Sequence, residues 1–577
     1  MSYLPFVSRY DKEPETRVDG YEAWEGYEAV CARLRQAMAG RRVLTVDCYP
    51  GVEDDELLAA LVNGLKPEHV VNALDIFPDS GELTRRMEPF LTDDRVRGVM
   101  CYGTINDFID KERLALAQKR VREAEGSVLV YGFGAALIHP GDVLAWAELS
   151  RWECQLRYRR GRPNFKQENF DEDPLRKNKR GYFVEWRIAD RHKFRFFDST
   201  DYYLDTNRAN APVMTTGQGL RDGLRQVAAA PFRLVPYFDP GVWGGQWMKE
   251  VCHLDTDRVN YAWSFDGVPE ENSLYLRFGD IRLETPAMNL VKYLPRELLG
   301  EKTFARFGAE FPIRFDFLDT MGGQNLSLQV HPTTEYIREH FGMPYTQDES
   351  YYILDAGEDG GVFLGLKEGV DPEEMIGALE EAQHSNVFDA ERYVNFYPAR
   401  KHDHFLIPAG TVHCSSKNCM VLEVSATPYI FTFKLWDWDR VDLNGIPRPI
   451  HIDDGKRVIR FDRTTRWVDE NLINRFETIH QGEDYRETRT GLHSLEFIET
   501  HVFETANVIP LAANGEVSML NLVEGEAAIV ESPEGAFDPF TVHYAETFIL
   551  PAALGDVNVR PERPGESIKL LRANVRF

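Results

Sequence analysis

Two stretches, NLSLQVHP (325–332) and IPAGTVHCSS (407–416), decide how the larger part of this chain folds. In the first, Gln329 and His331 are two residues apart. On a strand both side chains then share one face, while Leu328 and Val330 point to the other. In the second, Pro408 and Gly410 turn the chain just before His413. Between them, QDESYYILD (347–355) offers Glu349 at the start of another strand-like run. Two imidazoles, a carboxylate and an amide oxygen suit a borderline divalent ion, with a further position free for water or substrate.

Working outward, RFDFLD (314–319), SYYILD (350–355), VFLGL (362–366), HFLIPAG (404–410) and MVLEVS (420–425) are short strand-like runs separated by turn signals. One helix, EEMIGALEEAQ (373–383), interrupts them. This profile predicts a jelly-roll or cupin-like β-barrel over 212–460. The tail repeats it, with LEFIETHVFE (495–504) and SIKLLRANVRF (567–577), so 461–577 is expected to be a second, smaller cupin-like β domain.

The first third reads differently. RVLTVD (42–47), RGVMCY (97–102), GSVLVYG (126–132) and DVLAWAEL (142–149) are strand-like. DDELLAALVNGL (54–65) and DKERLALAQKRVREAEG (110–126) are helical. Alternating strands and helices predict a parallel α/β domain over 35–211, behind an N-terminal extension, 1–34. The polar stretch 159–181, rich in Arg, Lys, Asn and acids, is expected to be an exposed, protease-sensitive loop or lid.

Composition narrows the partners. Ninety-three Asp and Glu against 66 Lys and Arg give a net charge of −27, which repels nucleic acid and anionic membranes. No run approaches the roughly 20 apolar residues of a membrane helix, and MSYLPFVSRYDKEPE lacks an apolar signal core. Seven scattered cysteines without a CxxC pair read as reduced thiols, so a cytoplasmic location is expected.

VLTVDCYPGVEDDEL (43–57) stands where a phosphate-binding loop would, between a buried strand and a helix. It lacks the signature glycines, Lys and hydroxyl, and presents Glu53, Asp54 and Asp55 instead. With the Arg-rich RWECQLRYRRGR (151–162) downstream, the domain resembles a degenerate P-loop small-molecule kinase, and no nucleotide is expected to bind.

From about residue 212 the chain resembles the class I mannose-6-phosphate isomerases. QVHP, PAGTVH and VLEVS carry the resemblance, with YFDPGVWGGQWM (237–248), KLWDWDR (434–440) and NGIPRPIHID (444–453) in the same order. It implies a cupin fold, one divalent ion, by default zinc, on Gln329, His331, Glu349 and His413, and a sugar or sugar-phosphate partner, with a homo-oligomer allowed. The implied activity is aldose–ketose isomerisation, mannose 6-phosphate to fructose 6-phosphate, through a cis-enediol. Glu423 matches the family's carboxylate on the strand after the second His.

Three positions depart from the pattern. Gln347 replaces a Lys, Lys434 stands in the place of an Arg, and SATPYIFTFK (425–434) lacks the accompanying Asp. Lys434 is taken as catalytic beside Glu423, and Lys401, His404 and Arg448 as substitute substrate-binding groups. Besides the default reaction, two readings stay open: these departures suggest a cupin isomerase of another sugar or sugar derivative, and the degenerate kinase-like domain suggests a non-catalytic sugar-binding regulator.

Overall fold

The computed structural model describes residues 2–577 except 427, 428, 444, 446, 447 and 492. Parts of SATPYIFTFK and of NGIPRPIHID, namely Thr427, Pro428, Asn444, Ile446 and Pro447, therefore lie outside the described residues.

The fully buried strand Val43–Cys48 is the centre of a seven-stranded sheet. Its order is Ala23–Glu25, Val213–Thr216, Tyr202–Asp205, Val143–Glu148, Val43–Cys48, Val128–Tyr131, His69–Asn72. The last five run parallel, and the first two close one edge antiparallel. Apolar side chains on both faces of the central strands require cover on both sides. The predicted helices are present as Asp54–Leu65 and Lys111–Glu123, the second capped by Asp110.

Two expectations for this half are corrected. RGVMCY forms no strand. Its backbone is used up elsewhere: Val99 N–H donates to Phe90, Met100 to Phe341 and Cys101 to Phe183. It is a tie between elements rather than a sheet member. The stretch 159–181 is not a free loop either. Pro174–Arg180 is a helix, and Lys177, Lys179 and Arg180 are buried. The Lys177 and Lys179 ammonium groups donate to backbone carbonyls of Phe170, Arg162, Thr92 and Asp94, and Arg180 pairs with Glu185 at 2.7 Å. Buried backbone acceptors explain cations that composition assigned to solvent. The N-terminal extension packs onto the rest: Glu15–Arg17 pairs parallel with Tyr275–Arg277, and Ala23–Glu25 edges the large sheet.

The stretch in the place of a phosphate loop is closed by the protein itself. Arg162 contacts the Val52 carbonyl, Glu53 and Asp54, and Arg157 donates to the Gly51 carbonyl at 2.9 Å. Gly51, at φ +111°, faces Cys154 Sγ so closely that a Cβ would meet it at 2.8 Å.

Apart from the parallel pair of Glu15–Arg17 with Tyr275–Arg277, the remaining sheets are antiparallel. A six-stranded sheet runs His404–Ile407, Glu349–Ala356, Cys419–Ser425, Arg314–Asp319, Trp263–Gly267, Tyr237–Asp239. A five-stranded sheet runs Val394–Pro398, Gly361–Leu366, His413–Ser415, Leu328–Val330, Phe433–Trp436. The helix expected at 373–383 extends over Pro372–Ser385 under an Asp371 cap. A further six-stranded and a four-stranded sheet follow from Glu477 to Val575 and enclose a core of their own around Phe503, Leu520, Phe548 and Leu570. One continuous apolar core joins the α/β half to the first two antiparallel sheets. Among the described residues no helix is long and apolar enough to cross a membrane.

Because protein groups fill the Gly51 turn, millimolar ATP–Mg is expected to leave the melting temperature unchanged. Saturable micromolar binding in a calorimeter would contradict that closure.

Candidate metal centre

Alternation along Leu328–Val330 delivers the expected pattern. Leu328 and Val330 are fully buried in the core, and Gln329 and His331 share the opposite face. Gln329 is the register partner of His413 on one neighbouring strand and of Lys434 on the other. His413 arrives there through the Pro408–Thr411 turn, in which Gly410 takes φ +91° and donates to the His331 carbonyl at 2.9 Å. The facing sheet contributes Glu349, the register partner of Ser425 and Ile407.

Glu349 spans the two imidazoles, with Oε2 3.1 Å from His331 Nε2 and Oε1 2.9 Å from His413 Nε2. All three side chains are buried, and their ligand atoms lie within 4.8 Å of one another. Yet His331 Nε2 and Glu349 Oε1 have no partner in hydrogen-bonding geometry. Orphaned polar atoms at this depth are costly, and here they converge on one point. The opposite ring nitrogens show why. His331 Nδ1 lies 3.0 Å from the Phe431 carbonyl and His413 Nδ1 2.8 Å from the Thr411 carbonyl. A carbonyl only accepts, so each Nδ1 carries the proton and each Nε2 keeps its lone pair. The amide of Gln329, 3.3 Å from His413 Nε2, supplies an oxygen to the same point once its two ends are exchanged by a flip. The donor set therefore fits a divalent ion such as zinc.

Distant similarity to mannose-6-phosphate isomerases runs over more than half of the chain. It is 24% identical over 332 residues to the mannose-6-phosphate isomerase ManA of Bacillus subtilis, taking in 56% of this chain and 94% of that protein. It is 26% identical over 246 residues to the mannose-6-phosphate isomerase of Streptococcus mutans, 42% of this chain and 72% of that protein. Among solved structures, the mannose 6-phosphate isomerase from Bacillus subtilis aligns at a TM-score of 0.49 and 18% identity, covering 60% of this chain and 99% of that one. Residues 26–229 match a family described as Domain of unknown function (DUF8485).

Around the cluster, Gln347 acts as a clip. Its Nε2 donates to Glu349 at 2.9 Å and to Glu423 at 3.2 Å, and its Oε1 accepts from the Phe431 N–H at 2.7 Å. Glu423 is buried and stands opposite both Tyr351 and Asp316 in register. Burial, reinforced by the Glu349 and Asp316 carboxylates and opposed by Arg314, pushes the Glu423 carboxyl well above its usual range. Lys434 shares the Gln329 face. Its backbone N–H meets His451 Nδ1 at 3.3 Å, and its ammonium has no hydrogen-bond or ion-pair partner among the described residues. Burial, together with Arg448, Arg97 and Arg440 and against Asp437, holds that ammonium well below the usual lysine range. Arg448 is engaged by Asp437 at 2.9 Å and by Ser327 at 3.2 Å.

Two of the proposed substrate-binding groups are not brought to the cluster. His404 pairs with Tyr352 in register and bonds Ser350 at 2.9 Å, both on the reverse face of the sheet from Glu349. Lys401 is exposed and lies 5.8 Å from the Tyr544 ring in the C-terminal part.

Groups that the sequence reading did not single out also line the site. Arg314 and Asp316 share the Glu423 face of the six-stranded sheet; the alternation in RFDFLD, with Phe315 and Phe317 turned to the core, was the available signal. The α/β half reaches the site as well. Arg97 packs 5.5 Å from the Phe431 ring and 5.2 Å from Phe433, and contacts His451. Asp94 lies 2.9 Å from His451, and Tyr182 stacks on Tyr429 at 4.0 Å. Residues 429–433 are therefore held from one side by the α/β half, while the Phe431 backbone binds His331 and Gln347 on the other.

Purified protein is expected to carry close to one equivalent of metal. His331→Ala and His413→Ala should each weaken binding at least ~10-fold, read by metal analysis after dialysis against a chelator. Full occupancy in both variants would reject the ligand set. A second expectation concerns pH. Burial pushes His404 down to about 3, whereas an unfolded histidine titrates near ~6.5. The unfolded state then binds the extra proton, so stability contributed by His404 is complete above about pH 6.5 and drains away toward pH 3. His404→Leu should flatten that part of the stability–pH curve and leave metal content untouched.

Proposed function

We propose that this chain is a metal-dependent aldose–ketose isomerase of the mannose-6-phosphate isomerase type, with mannose 6-phosphate to fructose 6-phosphate as the default reaction. The observation that carries the reading is the pair of imidazoles fixed with both Nε2 lone pairs turned on Glu349, in a chain distantly similar to such isomerases over more than half its length. Gln329, His331, Glu349 and His413 would hold the ion, and the nitrogen and oxygen donors favour zinc. Bound there, it supplies Lewis-acid stabilisation of charge on the substrate's carbonyl and hydroxyl oxygens.

The protein groups divide the remaining work. Proton movement between C1 and C2 falls to Glu423, whose carboxyl is buried beside the cluster and is fixed by Gln347 without reaching the ligand point itself. Burial beside the Glu349 and Asp316 carboxylates raises its affinity for a proton, which suits a group that must take one up. Lys434, opposite Gln329 in register, and Arg448, held by Asp437, are assigned to the anionic oxygens of the substrate, whose negative charge would favour the ammonium form of Lys434. Phe431, Phe433 and Tyr429 keep bulk water from that side.

A second reading, isomerisation of another sugar or sugar derivative, is favoured by Gln347. This side chain takes a lysine's place and spends its polar atoms on Glu349, Glu423 and Phe431. Incubating metal-loaded protein with free and phosphorylated aldoses and ketoses and following C2-proton exchange by NMR separates the two. Glu423→Gln keeps the shape but cannot take the proton, so turnover should fall by ~10²–10⁴ with metal content and melting near those of the parent. An unchanged rate in Glu423→Gln would remove it from the mechanism, and exchange with none of the sugars would remove the isomerase reading.

A further inference from the structure

The inner face of the six-stranded sheet carries an unusual charge pair. Arg314 is 1% exposed and Asp316 2%. One guanidinium nitrogen, Nη2, contacts Asp316 Oδ2. Among the described residues the other two, Nε and Nη1, have no hydrogen-bond partner, and neither has Asp316 Oδ1. Two donor nitrogens and one acceptor oxygen without partners, buried side by side, are the kind of deficit that native interiors almost always fill.

Register places the pair next to the candidate chemistry. Across the sheet, Tyr237, Phe265, Asp316, Glu423 and Tyr351 stand directly opposite one another in one row. In the adjoining row, Arg314 and Glu349 flank Ser425. Paired residues of an antiparallel ladder share a face, so Arg314 and Asp316 look onto the same space as Glu423 and Glu349. The row also leads outward. At its far end Tyr237, bonded to Glu271 at 2.6 Å, lines a cleft of about 600 Å³ between the α/β half and the antiparallel half. Arg314 itself lies 5.3 Å from the Phe265 ring, which holds the guanidinium in line with that row.

We propose that Arg314 and Asp316 bind two neighbouring hydroxyls of a polyhydroxy substrate, and so determine which sugar is accepted beside Glu423. The chemistry of the free atoms selects this ligand class. Each hydroxyl accepts one hydrogen bond and donates another, so the free N–H groups of Arg314 meet sugar oxygens while Asp316 Oδ1 takes a hydroxyl proton. A phosphate fits poorly, because Asp316 offsets the Arg314 charge and Glu423 and Glu271 stand nearby as further acids. The phosphate end of a substrate belongs instead toward Lys434 and Arg448. The inference rests on the isomerase reading only for the direction of the sugar; polyol recognition as such does not depend on turnover.

The test uses full-length, metal-loaded protein and ligands that cannot isomerise: mannitol, sorbitol and their 6-phosphates, measured by calorimetry and by ligand-induced shift of the melting temperature. The parent should bind at least one of them. Asp316→Asn and Arg314→Lys should each weaken that binding about ten-fold or more with metal content unchanged. A deoxy ligand lacking one of the two contacted hydroxyls should lose affinity for the parent but little for Asp316→Asn, since a site built to bond a hydroxyl rejects its absence strongly. Reading binding as a melting shift within each folded variant, and using two variants, keeps a loss of stability separate from a loss of recognition. Parental affinity in both variants, or no polyol binding to the parent, overturns the proposal. Polyol binding that these variants lose, in a protein that exchanges no C2 proton, would overturn the isomerase reading and leave this one standing. C2-proton exchange at parental rate and KM in Asp316→Asn would do the reverse.

Discussion

Two backbone carbonyls organise the site. The Thr411 and Phe431 oxygens hold the Nδ1 protons of His413 and His331, and everything the cluster can do follows from the lone pairs this leaves on Nε2. The constraint is local for His413, whose partner is two residues away in the same turn. It is remote for His331, whose partner lies on a different strand. The second imidazole is therefore only as well placed as the 429–433 segment, and that segment is clamped by Arg97, Tyr182 and Phe341. A domain matching a family of unknown function thus helps to set the orientation of a candidate metal ligand through a chain of ordinary packing contacts.

Electrostatics around the site are arranged in two compartments. On the five-stranded sheet side, Lys434 and Arg448 stand with Arg97 and Arg440 against Asp437. On the six-stranded side, Glu349, Glu423 and Asp316 crowd together over two adjoining rows, with the Arg314 guanidinium beside them. Carboxylates this close cannot all be charged in a dry environment. The proposed substrate would meet this gradient with its anionic end toward the first compartment and its hydroxyls toward the second.

Much of this was legible in the sequence where local pattern and local chemistry coincide. Alternation in NLSLQVHP gave the shared face of Gln329 and His331, and the Pro–Gly turn before His413 gave its position. The helix 54–65 could be read residue for residue, because apolar spacing, an acidic first turn and flanking turn residues agree. What was not legible depended on partners distant in the chain. Composition made 159–181 look solvated, but Lys177 and Lys179 find buried carbonyls that no window of sequence displays. RGVMCY has the residues of a strand and no free neighbour to pair with. His404 has a binding residue's chemistry on the wrong side of its sheet, which only the register with Tyr352 reveals. Arg314 and Asp316 were visible as letters, but their free atoms are a property of the packed interior.

The parallel pairing of Glu15–Arg17 with Tyr275–Arg277 has a bearing on how the chain reaches this state. Arg277 also grips Glu15 across 262 positions of sequence, at 2.5 and 2.6 Å. Contacts of such separation require closing a very long loop before they return any stabilisation. As the chain leaves the ribosome, the α/β half emerges complete in sequence but without the strand that anchors its first residues, the Phe341 carbonyl that ties Met100, or the Tyr429 ring that covers Tyr182. Its surface toward the later half stays apolar and uncovered until the antiparallel sheets have been synthesised. The finished surface of the early half is therefore built partly by the later one, which supplies the strand, the carbonyl and the ring that close it.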